Sequence, residues 1–394
     1  MDDITRCRYE DSLLRNTLFA FFVSGAASQP LGSFIPFLRE TYGFSYDLSG
    51  ILLSCQSVGN LAAVLAAGFL PVYLGRRTAI LITAVWMVAG YLIFASGGAP
   101  ALLIAACLMT GVARGGNSNF ANTMISTLPG EKATRGYNLL HGCFAVGALL
   151  SPLLLISCTR RWPGMGWRIV AGLLCLLCLS QLVVYARMPL PPEKQEKSLK
   201  AVDHSFLRVK QFWLGAAMLL FYISTEYAIV GWLVTYFQDV GVLSADHAQM
   251  MNSLLWLVIF IGRMVGAAVT GKVSRSRILM ADGVGLFVFF LVMFFSRTAG
   301  PVVLGLVGVG FFMATIYPTA FAFGSDCIKG NDLGCSIMIF TGSAGGIITP
   351  AMVGFVAERA GIRAGMGLIL AYTALLLLSV ILSVASVQGA KSIE

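Results

Sequence analysis

The sequence carries the same pattern of apolar spans in both of its halves, and this duplication limits the folds open to the chain. Landmarks in the first six spans return about 200 residues later. The matching pairs are residues 37–45 with 236–244, residues 75–77 with 275–277, and residues 147–152 with 345–350. Three matches in the same order indicate a duplicated unit of six helices. Such duplication is typical of membrane transporters, because two similar bundles can move about a site between them.

Composition supports a membrane protein. Hydrophobic residues make up 57% and charged residues only 11% of 394 positions, whereas an average soluble domain has about 25% charged residues. Twelve helices of about 20 residues nearly exhaust the chain, so no sizeable soluble domain is expected. The 43 glycines suit helices that pack closely in lipid. We predict an all-α membrane protein with twelve transmembrane helices in two pseudo-symmetric six-helix bundles.

The predicted spans and domains follow from the apolar runs. The spans cover residues 15–38, 48–70, 78–97, 100–127, 136–157, 167–187, 209–238, 245–270, 278–297, 300–324, 334–357 and 363–386. A polar segment rich in proline and mixed charge separates the sixth and seventh spans. The sequence therefore predicts an N-terminal bundle over residues 1–190, a cytoplasmic linker over 191–208 and a C-terminal bundle over 209–394.

The distribution of Lys and Arg predicts the orientation. With the N-terminus inside, about two thirds of these residues fall in cytoplasmic segments, as the positive-inside rule requires. Both termini are therefore expected in the cytoplasm of a bacterial inner membrane, and no signal peptide is predicted. The net charge of +9 is assigned to contact with anionic lipid headgroups. A nucleic-acid partner is not expected.

Cofactor signals are weak throughout the chain. Cys175 and Cys178 form a CxxC pair inside the apolar sixth span, and the three histidines are scattered. A metal site is therefore not predicted. The phosphate-binding pattern GxxxxGK[ST] does not occur, so transport by ATP hydrolysis is not expected, and no cofactor is predicted.

Three motifs resemble a known family. The loop after the second span reads GFLPVYLGRR over residues 68–77, similar to the GxxxDRxGRR signature of the major facilitator superfamily, with Val72 and Tyr73 in place of its acid–base pair. The fifth span contains NLLHGCFAVGALLSP, and the seventh contains YISTEYAIVGWLVTY. Both resemble the fucose–proton symporter branch of that superfamily and its glucose-transporter-like relatives.

The resemblance implies a fold and a class of function. It implies alternating access in a secondary transporter, with the first, fourth, seventh and tenth spans lining a central cavity. The implied substrate is a sugar or related polyol moved with a cation, either H⁺ or Na⁺, and a monomer is expected. Gly75, Arg76 and Arg77 match the gating signature. The fucose transporter also has an acid in its first span, where this chain offers Gln29.

Glu226 and Arg114 lie deep within predicted spans seven and four. A charge in the hydrocarbon costs at least a few kcal/mol, so such residues face water, a partner or a substrate. Counted from the outer ends of their spans, they lie at similar depth, within about 3 Å. Glu226 is predicted to accept hydrogen bonds from substrate, to bind the coupling proton, or to do both. The alternative is a static Glu226–Arg114 ion pair that holds the halves together.

Further polar and aromatic residues are candidates for the same site. Asn117 shares a helix face with Arg114 at a spacing of three residues, whereas Asn122 either binds substrate or bonds a neighbouring helix. Rings that can stack on a sugar are expected on three spans. They are Tyr222 and Trp232 on span seven, Trp256 on span eight and Tyr317 on span ten.

Two more ionisable residues, His141 and Arg263, are predicted to act in gating or in proton relay. His141 opens the fifth span near its cytoplasmic end, which favours gating or helix contact, with a proton relay as the sharper reading. Arg263 lies eight residues before the inner basic loop. It is predicted to reach the interface or to tie helices together at the inner gate.

Other functions compete with sugar uptake. Arg114 can clamp a carboxylate or phosphate through two hydrogen bonds, so the substrate can be an anion such as a sugar acid. An exporter of drug-like compounds would instead favour an apolar cavity with few amides. A membrane-embedded sensor or enzyme is disfavoured because the sequence offers no appended domain and no catalytic constellation.

Overall fold

The computed structural model describes residues 3–66, 70–190, 205–269, 272–325, 328 and 332–391, and these are almost entirely helical. The chain divides into two compact units. The first comprises Met1–Gly43 and Cys55–Lys197, and the second comprises Phe44–Ser54 and Ser198–Glu394.

Eight helices fall in the first half of the sequence. They are α1 Asp3–Ser28, α2 Leu31–Tyr42, α3 Tyr46–Ala66, α4 Leu70–Leu74, α5 Arg76–Ser96, α6 Pro100–Ser126, α7 Gly130–Arg161 and α8 Gly166–Arg187. Within the first unit, α1 packs against α7, and α5 packs against α6 and α8. Helix α3 begins in the second unit and ends in the first.

Seven helices follow in the second half, after a 3₁₀ turn at Ser205–Arg208. They are α9 Lys210–Asp239, α10 Ala245–Val269, α11 Arg275–Phe295, α12 Ala299–Met313, α13 Ile316–Ser325, α14 Asp332–Ala360 and α15 Ile362–Lys391. Helix α9 lies at the centre of this unit, where it packs against α10, α13, α14 and α15.

The helices account for the predicted membrane spans. Among the described residues, eleven helical segments are long and apolar enough to cross a membrane. The remaining predicted span is α6, 27 residues long, in which Arg114 and the asparagines lower the mean hydropathy. The prediction of an all-α protein with twelve membrane-spanning helices is confirmed.

Two spans that were predicted as single apolar runs are broken into two helices. The first span breaks between α1 and α2 at Gln29 and Pro30, and the tenth breaks between α12 and α13 at Ala314 and Thr315. Proline lacks the N–H that continues a helix and crowds the carbonyl four residues earlier. Pro30 stands at the first break, and Pro318 crowds the Ala314 carbonyl at the second. Hydropathy alone does not register such breaks.

The units can be compared with the predicted domains. The predicted linker over residues 191–208 lies outside the described residues except for the 3₁₀ turn at its end. Residues 44–54 belong by sequence to the predicted N-terminal bundle, but by their contacts they belong to the second unit. The difference arises because the start of α3 packs on α14 and α9. A Cβ on Gly50 would lie 2.7 Å from the Pro350 carbonyl oxygen.

Glycines hold equivalent helix pairs together in the two units. A Cβ on Gly147 of α7 would come within 2.2 Å of the Phe22 carbonyl oxygen of α1. A Cβ on Gly345 of α14 would come within 2.5 Å of the Leu220 carbonyl oxygen of α9. These glycines occupy equivalent positions in the sequence repeat. The repeat therefore reflects the same close helix–helix contact in both units. Apart from glycine, no residue lets two helix backbones approach this closely.

Gly111 and Gly172 offer a matched test of this packing. A Cβ on Gly111 of α6 would meet the Gln56 carbonyl oxygen at 2.0 Å, whereas a Cβ on Gly172 of α8 would meet no atom within 4 Å. We expect Gly111→Ala to destabilise the protein by about 1–3 kcal/mol through overpacking. Gly172→Ala should be neutral or stabilising by up to about 1 kcal/mol, because alanine favours helix.

Thermal unfolding of the two variants in detergent measures this difference. Equal melting temperatures for Gly111→Ala and Gly172→Ala would contradict the packing role of Gly111.

Candidate functional site

Three helices of the second unit bring polar and aromatic side chains together around Tyr222. Tyr222 and Glu226 lie one turn apart on α9, Arg263 lies on α10, and Tyr317 lies on α13. The Tyr222 side chain shares a hydrogen bond with Glu226 and lies within electrostatic range of Arg263 and Tyr317. The ring centroids of Tyr222 and Tyr317 are 6.1 Å apart. We call Tyr222, Glu226, Arg263 and Tyr317 the Glu226 cluster.

The break in the tenth span positions Tyr317 in this cluster. Tyr317 is the second residue of α13, directly after the break at Ala314 and Thr315. Its ring stacks on Phe321 four residues later, with centroids 6.3 Å apart, so the side chain is fixed on the helix surface. The kinked path of the tenth span therefore sets the direction of this ring.

Burial differs between members of the Glu226 cluster. Tyr222 is 1% exposed, whereas Glu226, Arg263 and Tyr317 are half-buried. A fully sealed acid would have to be neutral or tightly paired, but a half-buried one can reach water or a ligand. The cluster therefore offers a carboxylate acceptor, a guanidinium donor, hydroxyls and two ring faces.

The first unit holds Arg114, Asn117 and Asn122 on α6. Arg114 is half-buried. Asn117 is fully buried, with its Oδ1 atom 3.5 Å from the Thr83 hydroxyl on α5. Asn122 donates a hydrogen bond of 2.8 Å to the Ser118 carbonyl of its own helix. The structure thus gives both amides contacts with neighbouring protein groups.

Three further predicted site residues are buried among helices. Gln29 lies at the break in the first span and is 3% exposed. The Trp232 indole donates a hydrogen bond of 3.1 Å to the Pro350 carbonyl on α14. Its ring also lies near Tyr46, with centroids 6.0 Å apart. Trp256 on α10 is likewise buried. Trp232 therefore contributes to the packing of α9, α14 and the start of α3.

The residues predicted to gate or relay protons fall in different places. His141 is exposed on α7, and its ring makes an edge contact with Phe21 of α1. Gly75 has a left-handed φ of 77° and ends the turn before α5. Arg77 donates hydrogen bonds to the carbonyls of Ala186 and Met188, at the end of α8. Arg263, predicted at the inner gate, lies within electrostatic range of Tyr222 in the Glu226 cluster.

One buried acid is absent from the residues predicted from sequence. Asp282 on α11 is 7% exposed and accepts a hydrogen bond from the Thr315 hydroxyl at the break in the tenth span. The sequence does contain a signal for this residue, namely an ionisable side chain four residues inside a predicted apolar span. No group of three or more His, Cys, Asp or Glu that could hold a metal ion occurs among the described residues.

Comparison with known proteins identifies the family. The family model of the Major Facilitator Superfamily matches residues 17–340, so the chain belongs to this superfamily of membrane transporters. An uncharacterized MFS-type transporter from Yersinia pestis is 21% identical over 94% of this chain and 95% of its own length. A putative glucose/galactose transporter from Helicobacter pylori is 24% identical over 59% of this chain and 58% of its own length.

Solved structures of transporters share the fold of this chain. A D-xylose-proton symporter superposes with a TM-score of 0.75 at 14% identity, over 95% of this chain and 97% of its own. The transporter FucP, in the outward conformation, superposes with a TM-score of 0.63 at 18% identity, over 93% and 97%. The superfamily predicted from the motifs is confirmed.

The contacts of Arg77 predict a structural role within the first unit. A guanidinium that bonds the last carbonyls of a helix satisfies groups that the helix itself leaves unpaired. We expect Arg77→Ala to lower the free energy of unfolding by about 1–3 kcal/mol. Arg187→Ala is the matched control, because this exposed arginine forms no hydrogen bond with any described residue.

Thermal unfolding in detergent compares the two arginine variants. If Arg77→Ala melts at the temperature of Arg187→Ala, its bonds to α8 do not stabilise the first unit.

Proposed function

We propose that this transporter moves a sugar or related small polar solute by alternating access, coupled to H⁺ or Na⁺. The observation that carries the proposal is the Glu226 cluster, in which an acid, a base and two aromatic rings converge within one bundle. Charged residues in membrane spans are expensive and mark substrate or ion pathways. The half-buried positions of Glu226 and Arg263 leave them accessible to a solute.

The chemistry of the cluster suits a neutral, hydroxyl-rich solute. Sugar C–H faces pack on aromatic rings such as Tyr222 and Tyr317, while hydroxyls find polar groups. Glu226 accepts hydrogen bonds from hydroxyls, and Arg263 donates them. The two opposite charges balance within the cluster, which favours a neutral sugar over a sugar acid. The relatives named as glucose/galactose transporters support the same class of substrate.

Arg114 and Asn122 of the first unit remain candidates for substrate binding. Arg114 is half-buried on α6, and its guanidinium can donate to hydroxyls or to an anionic group. If the substrate is anionic, Arg114 is the residue that the proposal assigns to it. The other predicted site residues would support substrate binding indirectly, by fixing the positions of their helices. They are Asn117, Gln29, Trp232 and Trp256.

Cation coupling is proposed for Glu226. A carboxylate that bonds substrate and also exchanges a proton links the two events, because the protonated and ionised forms differ in hydrogen bonding. His141, exposed on α7, is the weaker candidate for a relay. Sodium in place of the proton would need oxygen ligands around Glu226, for which the Tyr222 hydroxyl, hydrogen-bonded to Glu226, is a candidate.

Alternating access is proposed to involve movement of residues 1–190 against 209–394. The superfamily's gating signature is matched by Gly75 before α5 and by Arg76 and Arg77, the first residues of α5. Arg77 would act in gating through its hold on α8. We further propose that the membrane is the bacterial inner membrane, that both termini lie in the cytoplasm, and that the protein works as a monomer.

A ligand screen on purified protein tests the substrate and the role of Glu226. A ligand that binds only the folded protein raises its melting temperature by mass action. We expect galactose or another sugar to raise the melting temperature of the wild type, with a shift that differs between pH 5.5 and 7.5. Glu226→Gln should reduce this shift, because loss of a charged hydrogen-bond partner costs about 1.5–3 kcal/mol. That loss corresponds to roughly 10- to 150-fold weaker binding.

Glu40→Gln is the matched control, since Glu40 is exposed at the end of α2. It should retain the full sugar-dependent shift. If sugar acids or drug-like compounds stabilise the protein and neutral sugars do not, the substrate class is wrong. If Glu226→Gln retains the sugar shift at both pH values, the carboxylate is not in the site.

The start of α3 offers a test of alternating access. Tyr46 bonds Glu358 through its N–H and Asp239 through its hydroxyl, each at 2.7 Å. Gly50 packs on Pro350. We propose that residues 44–54 leave α14 during each transport cycle. Gly50→Val should weaken this contact by about 1–3 kcal/mol through overpacking.

Hydrogen–deuterium exchange measured by mass spectrometry should then be faster at residues 44–54 in Gly50→Val. Gly300→Val is the control, because Gly300 has open space around its Cβ position. Identical exchange in the two variants would show that Gly50 does not secure the segment.

A further inference from the structure

Asp282 is a buried acid with a single hydrogen-bond partner in the part of the chain that the structure describes. It lies seven residues inside α11, about 10 Å along the helix from Arg275, and is 7% exposed. Among the described residues its hydrogen-bond partner is Thr315, whose hydroxyl donates to Oδ2. An ionised carboxylate has room for about four hydrogen bonds. One neutral donor therefore leaves most of its capacity unused in a site sealed from water.

Among the described residues, the helices packed against α11 place no cation beside the Asp282 carboxyl. They are α12, α13 and α15. Helix α12 contains no titratable residue, and α13 contains only Tyr317. On α15, Arg363 bonds Tyr236 and Tyr372 bonds the Met352 sulfur.

Arg275 and Arg277 precede Asp282 on α11, and Lys391 ends α15. Within the described part of the chain, two influences act on the Asp282 carboxyl. They are its burial and the hydrogen bond from the Thr315 hydroxyl.

The partner of Asp282 stands at the break in the tenth span. Thr315 separates α12 from α13, and Pro318 removes the N–H that would continue the helix. The Thr315 carbonyl is used within α13, where it accepts the Thr319 N–H at 3.2 Å and the Thr319 hydroxyl at 2.7 Å. Two residues beyond Thr315 lies Tyr317 of the Glu226 cluster. A change at Asp282 can therefore reach the Glu226 cluster through two short links. The first is the Asp282–Thr315 hydrogen bond, and the second is the chain from Thr315 to Tyr317.

We propose that Asp282 is a second proton-binding site of this transporter. It holds a proton in the sealed state shown here and loses it when water reaches the break between Met313 and Ile316. The proposal rests on cation-coupled transport as the function. A lone carboxylate in the membrane interior is far more stable as the neutral acid. The proton adds to one carboxylate oxygen to form an O–H bond, and it leaves to water when water enters.

Proton occupancy also changes the bond to Thr315. The hydroxyl bonds an ionised carboxylate about twice as strongly as a neutral acid. Proton release therefore strengthens the tie between α11 and the break, and proton uptake weakens it. Because Tyr317 follows the break, the position of its ring in the Glu226 cluster depends on this tie. This links a proton at Asp282 to the solute site without any direct contact between them.

Chemical labelling and infrared spectroscopy test the proposal on the full chain in lipid vesicles. Dicyclohexylcarbodiimide modifies protonated carboxyls in apolar surroundings, and mass spectrometry locates the adduct. At pH 7.5 we expect an adduct on Asp282 and an infrared band of a protonated carboxylic acid. In Asp282→Asn the adduct should disappear and the band should lose intensity, whereas Glu40→Gln should retain both in full. An ionised carboxylate and no adduct at Asp282 in the wild type would overturn the proposal.

A second pair of variants tests the route of water and protects against misfolding of Asp282→Asn. Thr315→Val removes the hydroxyl at the break, whereas the control Thr341→Val removes a hydroxyl that bonds the Ile337 carbonyl of its own helix, α14. After transfer to D₂O, the acid band should shift at least threefold faster in Thr315→Val than in Thr341→Val. Equal rates would exclude the break as the path of the proton.

The outcome is separable from the proposed transport of sugar. Counterflow of labelled galactose in the same vesicles reports on the solute site. Absence of counterflow in the wild type would contradict galactose as a substrate. It would not change the conclusion that the labelling gives about protonation of Asp282. Counterflow that persists with an unlabelled, ionised Asp282 would support the sugar and would refute the second proton site.

Discussion

The need to satisfy every backbone hydrogen bond inside lipid controls this structure. A membrane interior offers no water to exposed N–H and C=O groups, so spans must be helices, and helices must meet through apolar surface and close backbone packing. The glycine pairs on α7 and α14 show this requirement met in the same way in each unit. The breaks in regular helix occur at or near prolines. The backbone N–H and C=O groups that a break leaves unpaired must then find other hydrogen-bond partners.

Departures occur in the first and tenth spans, and polar groups collect beside them. Gln29 lies at the first break, and Thr315, Asp282 and Tyr317 lie at or near the second. Irregular backbone at membrane depth is tolerated where it is buried in protein or lines a cavity. The breaks therefore do more than bend the spans, because they supply the polar surroundings in which ionisable side chains can persist.

The sequence was sufficient for the family, the number of spans and most helix ends, because hydropathy and short motifs depend on local residues. It was insufficient for the partners of buried polar groups. Asn117 shares a helix face with Arg114, yet it packs against Thr83 of another helix. Arg263 was predicted at a gate, but Tyr222 lies within its electrostatic range. Such partners depend on helix rotation and on the break before α13, and neither is encoded in a hydropathy profile.

Glu226 and Asp282, two acids of the second unit, have opposite surroundings. Glu226 has a tyrosine hydroxyl as a donor, and an arginine lies close to that tyrosine. Its carboxyl group can therefore accept hydrogen bonds from a solute. Asp282 has a neutral hydroxyl and no cation among the described residues around it, so burial favours its protonated form. Under the proposed function Glu226 links solute binding to proton exchange, and Asp282 supplies a second site that can hold a proton while Glu226 bonds the solute.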